Sequence, residues 1–172
     1  TQGYSSAASD VYKRQIIYNM AEKKLNIAYY NGVWVLLEGL TVHRLGTKYE
    51  KSGNYIVGTN PDGTRFAVYV GREKIRKYGV FTKFFPVGED RMAVWEIDGK
   101  WKLYTRTGVK VILGDMVDES GRFFVYKCPE GVKFSRIEGT RLTIMWCKGY
   151  RRGLNKSITL YYFDGMSELI AV

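Results

Sequence analysis

One histidine, two cysteines and a single tight cluster of acids are the places where side-chain chemistry would have to reside. His43 sits in Leu40-Thr41-Val42-His43-Arg44, and period-2 reading puts it on the opposite strand face from Leu40 and Val42. That predicts a solvent-facing residue. A histidine base needs a nucleophile within reach and a carboxylate to orient it, and no Gly-x-Ser-x-Gly or comparable motif supplies either. Cys128 and Cys147 lie 19 residues apart, with no Cys-x-x-Cys and no histidine nearby. A zinc site is therefore not expected, and two free thiols are. A disulfide between them needs Cα atoms within about 7 Å, which spacing alone does not decide. Asp115, Asp118 and Glu119 place three acids in the stretch GDMVDESG, a set that suits a hard cation; a hydrolase would instead draw on carboxylates dispersed along the chain. The EF-hand ligand pattern is missing, so a solvated loop is the expected role. No catalytic, cofactor-binding or metal-ligating residue is predicted, and a hydrolase ranks third among the functions.

The basic residues are better placed. The chain carries 27 Lys and Arg against 17 Asp and Glu, a net charge of +10. Lys74, Arg76, Lys77, Lys110 and Arg141 all fall on what reads as the third strand of successive repeats. In a stacked or radial repeat, equivalent positions line up on one surface. Lys148, Arg151 and Arg152 follow in CKGYRRG, with Tyr150 among them. Cations interleaved with an aromatic can meet phosphates and stack a base, so these nine residues form the expected polyanion-binding set. The plainer role for the same charges is a solvated outer face that blunts exposed sheet edges.

The elements that carry these residues follow from recurring glycines. Turn signatures appear as LNIAYY-NG-VWVLL, NYIVGTNP-DG-TRFAVYV, RMAVWEI-DG-KWKLY, RFFVYKCP-EG-VKFSRI and SITLYYF-DG-MSELIAV. The turn glycines Gly32, Gly63, Gly99, Gly131 and Gly165 are spaced 31, 36, 32 and 34 residues apart. A second register, Gly39, Gly71, Gly108 and Gly139, follows seven to nine residues behind the first four. Two registers with one period mark a repeat architecture. The unit reads as strand, glycine turn, strand, polar stretch, strand, Asx-Gly turn. Asp98-Gly99 is expected to form a type I′ turn, which needs positive φ at both central residues. The fold class is therefore all-β: an antiparallel meander of about a dozen strands built from about four ~33-residue hairpin repeats. An open hairpin solenoid and a small propeller-like closure both satisfy it.

Period-2 reading predicts one dry and one wet face per strand. It places Trp101 and Leu103 against Lys100, Lys102 and Tyr104, Phe66, Val68 and Val70 against Arg65, Ala67 and Tyr69, and Leu142, Ile144 and Trp146 against Arg141, Thr143 and Met145. The aromatic after each turn, Trp34, Phe66, Trp101 or Phe134, is expected to fill an equivalent core position.

Gly-Lys-Trp-Lys-Leu-Tyr followed by Thr-Gly-Val-Lys-Val-Ile resembles the bacterial WG-repeat pattern, in which Gly-x-Trp-Gly and an aromatic precede a Gly-x-Val-Ile strand. The match is clearest over 98–126, looser over 31–58 and degenerate in the second and fourth units. Lys102 and Val35 stand where the pattern has glycine after tryptophan. The resemblance implies a β-hairpin scaffold used as an interaction module, without a shared enzymatic activity.

At the N-terminus, SSAASDVYKRQ (5–15) resembles a translated sequencing-adapter remnant, while Met20-Ala21-Glu22-Lys23-Lys24 reads as a natural start. The expected organisation is a non-native or disordered leader over 1–19 and a single β-repeat domain over 20–172. With Met20 as the start, a cytoplasmic location follows. No run reaches the ~20 apolar residues that cross a bilayer as a helix. The functional expectation is a non-catalytic scaffold that binds an unidentified protein, with no cofactor and no membrane partner. The alternative is binding of nucleic acid or another polyanion through the basic strand face.

Overall fold

Glycine turns and alternating strands organise the chain in a computed structural model that describes residues 16–20, 23–71, 75–118, 120–154 and 156–171. Among these residues there are seventeen strands and no helix. It follows that none of them forms a helix long and apolar enough to cross a membrane. Lys74, Glu119 and the leader residues 1–15 lie outside the described residues. The chain groups into two compact units, Thr1–Thr82 and Lys83–Val172.

The first unit contains β1 (Ile16–Met20), β2 (Lys23–Tyr30), β3 (Val33–Glu38), β4 (Thr41–Gly46), β5 (Lys48–Ser52), β6 (Tyr55–Thr59), β7 (Arg65–Val70) and most of β8 (Ile75–Pro86). Its strand order is β1-β2-β3-β4-β6-β7-β8, with β5 paired to β6. Strand β1, drawn from the stretch read as leader, pairs antiparallel with β2. The second unit contains β9 (Arg91–Glu96), β10 (Trp101–Thr105), β11 (Lys110–Met116), β12 (Phe123–Cys128), β13 (Gly131–Glu138) and β14 (Arg141–Cys147), adjacent in that order. A separate three-stranded sheet follows, from β15 (Gly149–Arg152), β16 (Ser157–Tyr161) and β17 (Ser167–Ala171). Among the described residues the registers are antiparallel except for one parallel bridge, Gly46 to Thr59. The predicted meander is present. Its strands outnumber a dozen partly because short strands β5 and β15 form in polar stretches, where backbone groups find ladder partners.

Turn chemistry differs from expectation at the Asp-Gly sites. Only Asn31-Gly32 has positive φ at both residues, 46° and 80°. At Asp98-Gly99 only the glycine does, at 74°. The Gly99 N–H donates to the Glu96 carbonyl at 3.1 Å, and the Glu96 N–H donates to the Lys100 carbonyl at 3.1 Å. This is a three-residue loop with a bulge glycine rather than a type I′ turn. The aspartate explains the choice, because its Oδ1 accepts the Lys100 N–H at 3.2 Å. Asp62 does the same for Thr64 at 2.9 Å, and Asp164 for Met166 at 2.9 Å. In the fourth repeat Cys128 pairs with Gly131, so Pro129-Glu130 make the turn and Gly131 begins β13.

The first unit buries Leu25, Ile27, Leu36, Leu45, Phe66 and Val68 in one cluster. The second has two clusters, one around Trp101, Leu103, Leu113 and Phe124 and one around Phe134, Val125, Cys147 and Leu160. Phe66, Trp101 and Phe134 are buried as predicted, while Trp34 is half-buried between Tyr29 and Tyr49. The dry-and-wet alternation fails on the inner strands. Ala67, Tyr69 and Tyr104 are buried as fully as their opposite-facing neighbours, so these strands are covered on both faces.

Candidate functional site

Strands β9 to β11 bring four polar side chains together. Glu96 accepts from Lys102 Nζ at 2.7 Å, Lys110 Nζ at 2.8 Å and the Tyr104 hydroxyl at 2.5 Å. Lys102 also reaches Asp98 at 2.5 Å. Burial pushes the Glu96 carboxyl upward, but the three donors outweigh it and hold the pKa at about 2. Hydrogen bonds to Asp98 and then Glu96 push Lys102 above its ordinary value. A carboxylate so firmly ionised is a poor proton donor, and its lone pairs are committed to neighbours. The cluster ties three strands together.

The acids and thiols singled out in the sequence have structural tasks. Asp118 accepts from the N–H groups of Ser120 at 3.0 Å, Arg122 at 3.2 Å and Phe123 at 2.8 Å, closing the loop into β12. Asp115 instead meets Lys100 at 3.2 Å. Among the described residues no group of three His, Cys, Asp or Glu is placed to hold a metal ion. Cys128 and Cys147 are free thiols, and burial raises the Cys147 pKa. The solvent-facing expectation for His43 is overturned: it is half-buried, pairs across the ladder with fully buried Leu36, and lies 3.4 Å from Glu38. Val42, not His43, points outward.

The nine predicted basic and aromatic residues fall in different settings. Arg76 and Lys77 are exposed on β8, with Lys77 Nζ 4.5 Å from the Phe66 ring centroid. Lys110 is engaged by Glu96 and lies 4.9 Å from the centre of the Tyr104 ring. Arg141 is exposed where β14 begins. The structure does gather Tyr150, Arg151 and Arg152, which line a cleft of about 470 Å³ with Lys127 and Val132. Lys148 precedes this strand and is exposed. Lys127 escaped the sequence reading because only the β12–β13 hairpin carries it to β15. A second cleft of about 430 Å³ shares Arg152 and adds Lys156, Ser157 and Asp118.

A third feature reverses an expectation. Ile144 and Trp146, predicted to be core, are 42% and 53% exposed. Met145 instead pairs with buried Phe134 and packs into the core with Cys147. Both parities of β14 are apolar, and Phe134 decides which one turns inward. Outside, Trp146 pairs with Lys133, and Ile144 pairs with Ser135, which is itself fully buried. Lys133 Nζ donates to the Ile112 carbonyl and lies 5.7 Å from the Tyr126 ring centroid. Burial among these groups lowers the Lys133 pKa.

No protein-family model and no curated protein matches the chain. Among solved structures, it is similar to the computationally designed Ika8 protein at 12% identity and a TM-score of 0.29, over 91% of this chain and 57% of that one. So distant a likeness carries no argument about fold or function.

Proposed function

We propose that the chain is a non-catalytic β-repeat scaffold that binds another protein, and that the partner contributes an extended segment to the outer edge of β14. The observation that carries this reading is the exposure of Ile144 and Trp146 on a strand with one open side. Among the described residues β14 pairs only with β13. Glu138 and Arg141 close the two-residue turn and exchange ladder hydrogen bonds, so the amides of Leu142, Ile144 and Trp146 point to the open edge. A large aromatic beside unpaired strand amides suits strand addition, in which main-chain bonds give affinity and side-chain contacts give specificity. Charge selects the segment: Lys133 lies within the face, and Arg141 and Lys148 flank it. An apolar core with acidic flanks is complementary to that pattern.

A phage-displayed library of linear peptides tests the proposal. Selected peptides should carry acidic residues around an apolar centre, and Trp146→Ser should weaken them at least tenfold without lowering the melting temperature. Selected peptides that bind the Trp146→Ser protein equally well would contradict it.

A further inference from the structure

We infer that the cleft between β15 and the β12–β13 hairpin holds the phosphate backbone of a single-stranded nucleic acid. This is independent of the edge of β14. The cations of this unit fall into a paired and an unpaired group. Lys100, Lys102 and Lys110 are all held by carboxylates. Lys127, Lys148, Arg151, Arg152 and Lys156 are exposed, and none makes an ion pair among the described residues. Of these, Lys127, Arg151, Arg152 and Lys156 line the two clefts, and unpaired cations there keep their charge for an external anion.

The arrangement suits a chain of phosphates better than a single ion. Arg152 lines both clefts, so anionic groups can engage it from two sides while Arg151 and Lys127 meet one end and Lys156 the other. The one acid in the second cleft, Asp118, is already engaged by the backbone N–H groups of its own loop. Arginine adds a planar fork that matches phosphate oxygens in pairs. The backbone contributes as well. The Gly153 N–H donates to Ser157 of β16 at 2.8 Å, so the preceding amide, that of Arg152, turns to the opposite edge of β15.

Tyr150 distinguishes a nucleic acid from other polyanions. It pairs with fully buried Leu160 and packs against the Phe134 cluster, which fixes its ring while part of it lines the cleft. A fixed aromatic among cations is a stacking platform for an unpaired base.

Fluorescence anisotropy with labelled oligo(dT) and oligo(U), titrated across a salt series, tests the inference on the whole chain. The unmodified protein should bind both, with affinity falling steeply as salt rises. Arg151→Gln with Arg152→Gln should cost at least tenfold and flatten the log–log salt slope by about 1.4, two phosphate contacts' worth for a single strand. Tyr150→Leu should weaken the oligonucleotides but leave inorganic polyphosphate unchanged, while Trp146→Ser should leave both unchanged. No binding at low salt, or equal binding by the double arginine variant, would overturn the inference. So would a double variant that loses anionic phospholipid vesicles while keeping the oligonucleotides.

Discussion

Trp101 pairs with Gly114 across the β10–β11 ladder, and Trp34 pairs with Gly46 across β3–β4 in the same way. Each pair sits at a register shift just after the tryptophan. Both glycines have positive φ, 99° at Gly114 and 87° at Gly46. A Cβ on Gly114 would overlap the Val125 carbonyl, and one on Gly46 the Thr59 carbonyl. Each glycine is thus the point where the third strand of a repeat leaves its own hairpin for the next. Beyond Gly114, Asp115 and Met116 pair with β12.

That handover makes Gly114→Ala far more damaging than an ordinary glycine substitution. Gly165 also has positive φ, at 86°, but faces open space. Gly165→Ala should cost about 1–2 kcal/mol, the strain of left-handed backbone alone. Gly114→Ala adds collision with a backbone that cannot give way, and its urea midpoint should fall well below that of Gly165→Ala. Equal midpoints would show that β11 does not cross at Gly114.

Trp101→Ala should be among the most damaging single changes in the second unit. The ring is 7% exposed and packs against Trp95, Phe85 and Phe124. Removing a buried aromatic of this size costs about 3–5 kcal/mol. Trp34→Ala should cost less, since its ring is only half-buried. Trp146→Ser should change stability by less than ~0.5 kcal/mol. Denaturant unfolding followed by circular dichroism separates the three.

Glu96 makes stability depend on acid. Its folded pKa of about 2 lies below the ordinary value of 4.5. The stabilisation is therefore complete above about 4.5 and is lost as pH falls toward 2. At neutral pH, Glu96→Gln should lower the melting temperature, because it leaves Lys110 without its anion and Lys102 with Asp98 alone, and weakens a charge-assisted bond to Tyr104. The gap between variant and unmodified protein should narrow steadily below pH 4.5. A gap constant from pH 7 to pH 3 would show that the ion cluster does not form.

The repeat was legible because Asx-Gly turns and the aromatics behind them report local needs of the chain. Gly46 and Gly114 were not. Neither follows an Asx residue, and the register shift beside each tryptophan hides the pairing from any fixed spacing. The outward turn of Ile144 and Trp146 was hidden for another reason: Leu142, Ile144, Met145 and Trp146 make both faces of β14 apolar, and only Phe134 opposite Met145 breaks the tie. His43 was misplaced because Leu40 and Val42 suggested a core face, whereas Leu40 tips the turn and Val42 points to solvent. Of the basic residues, the run from Tyr150 to Arg152 was legible as a cluster. Its partner Lys127 lies 23 residues before Tyr150 and reaches it only through the fold.

The most direct measurement of the proposed docking edge is residue-resolved hydrogen exchange with and without a selected acidic-flanked peptide. The amides of Leu142, Ile144 and Trp146 point outward in the free protein and should slow on binding. Those of Thr143 and Met145, already in the β13 ladder, should change little. Protection that appears at β15 instead, or that leaves β14 untouched while the peptide is bound, would contradict the account.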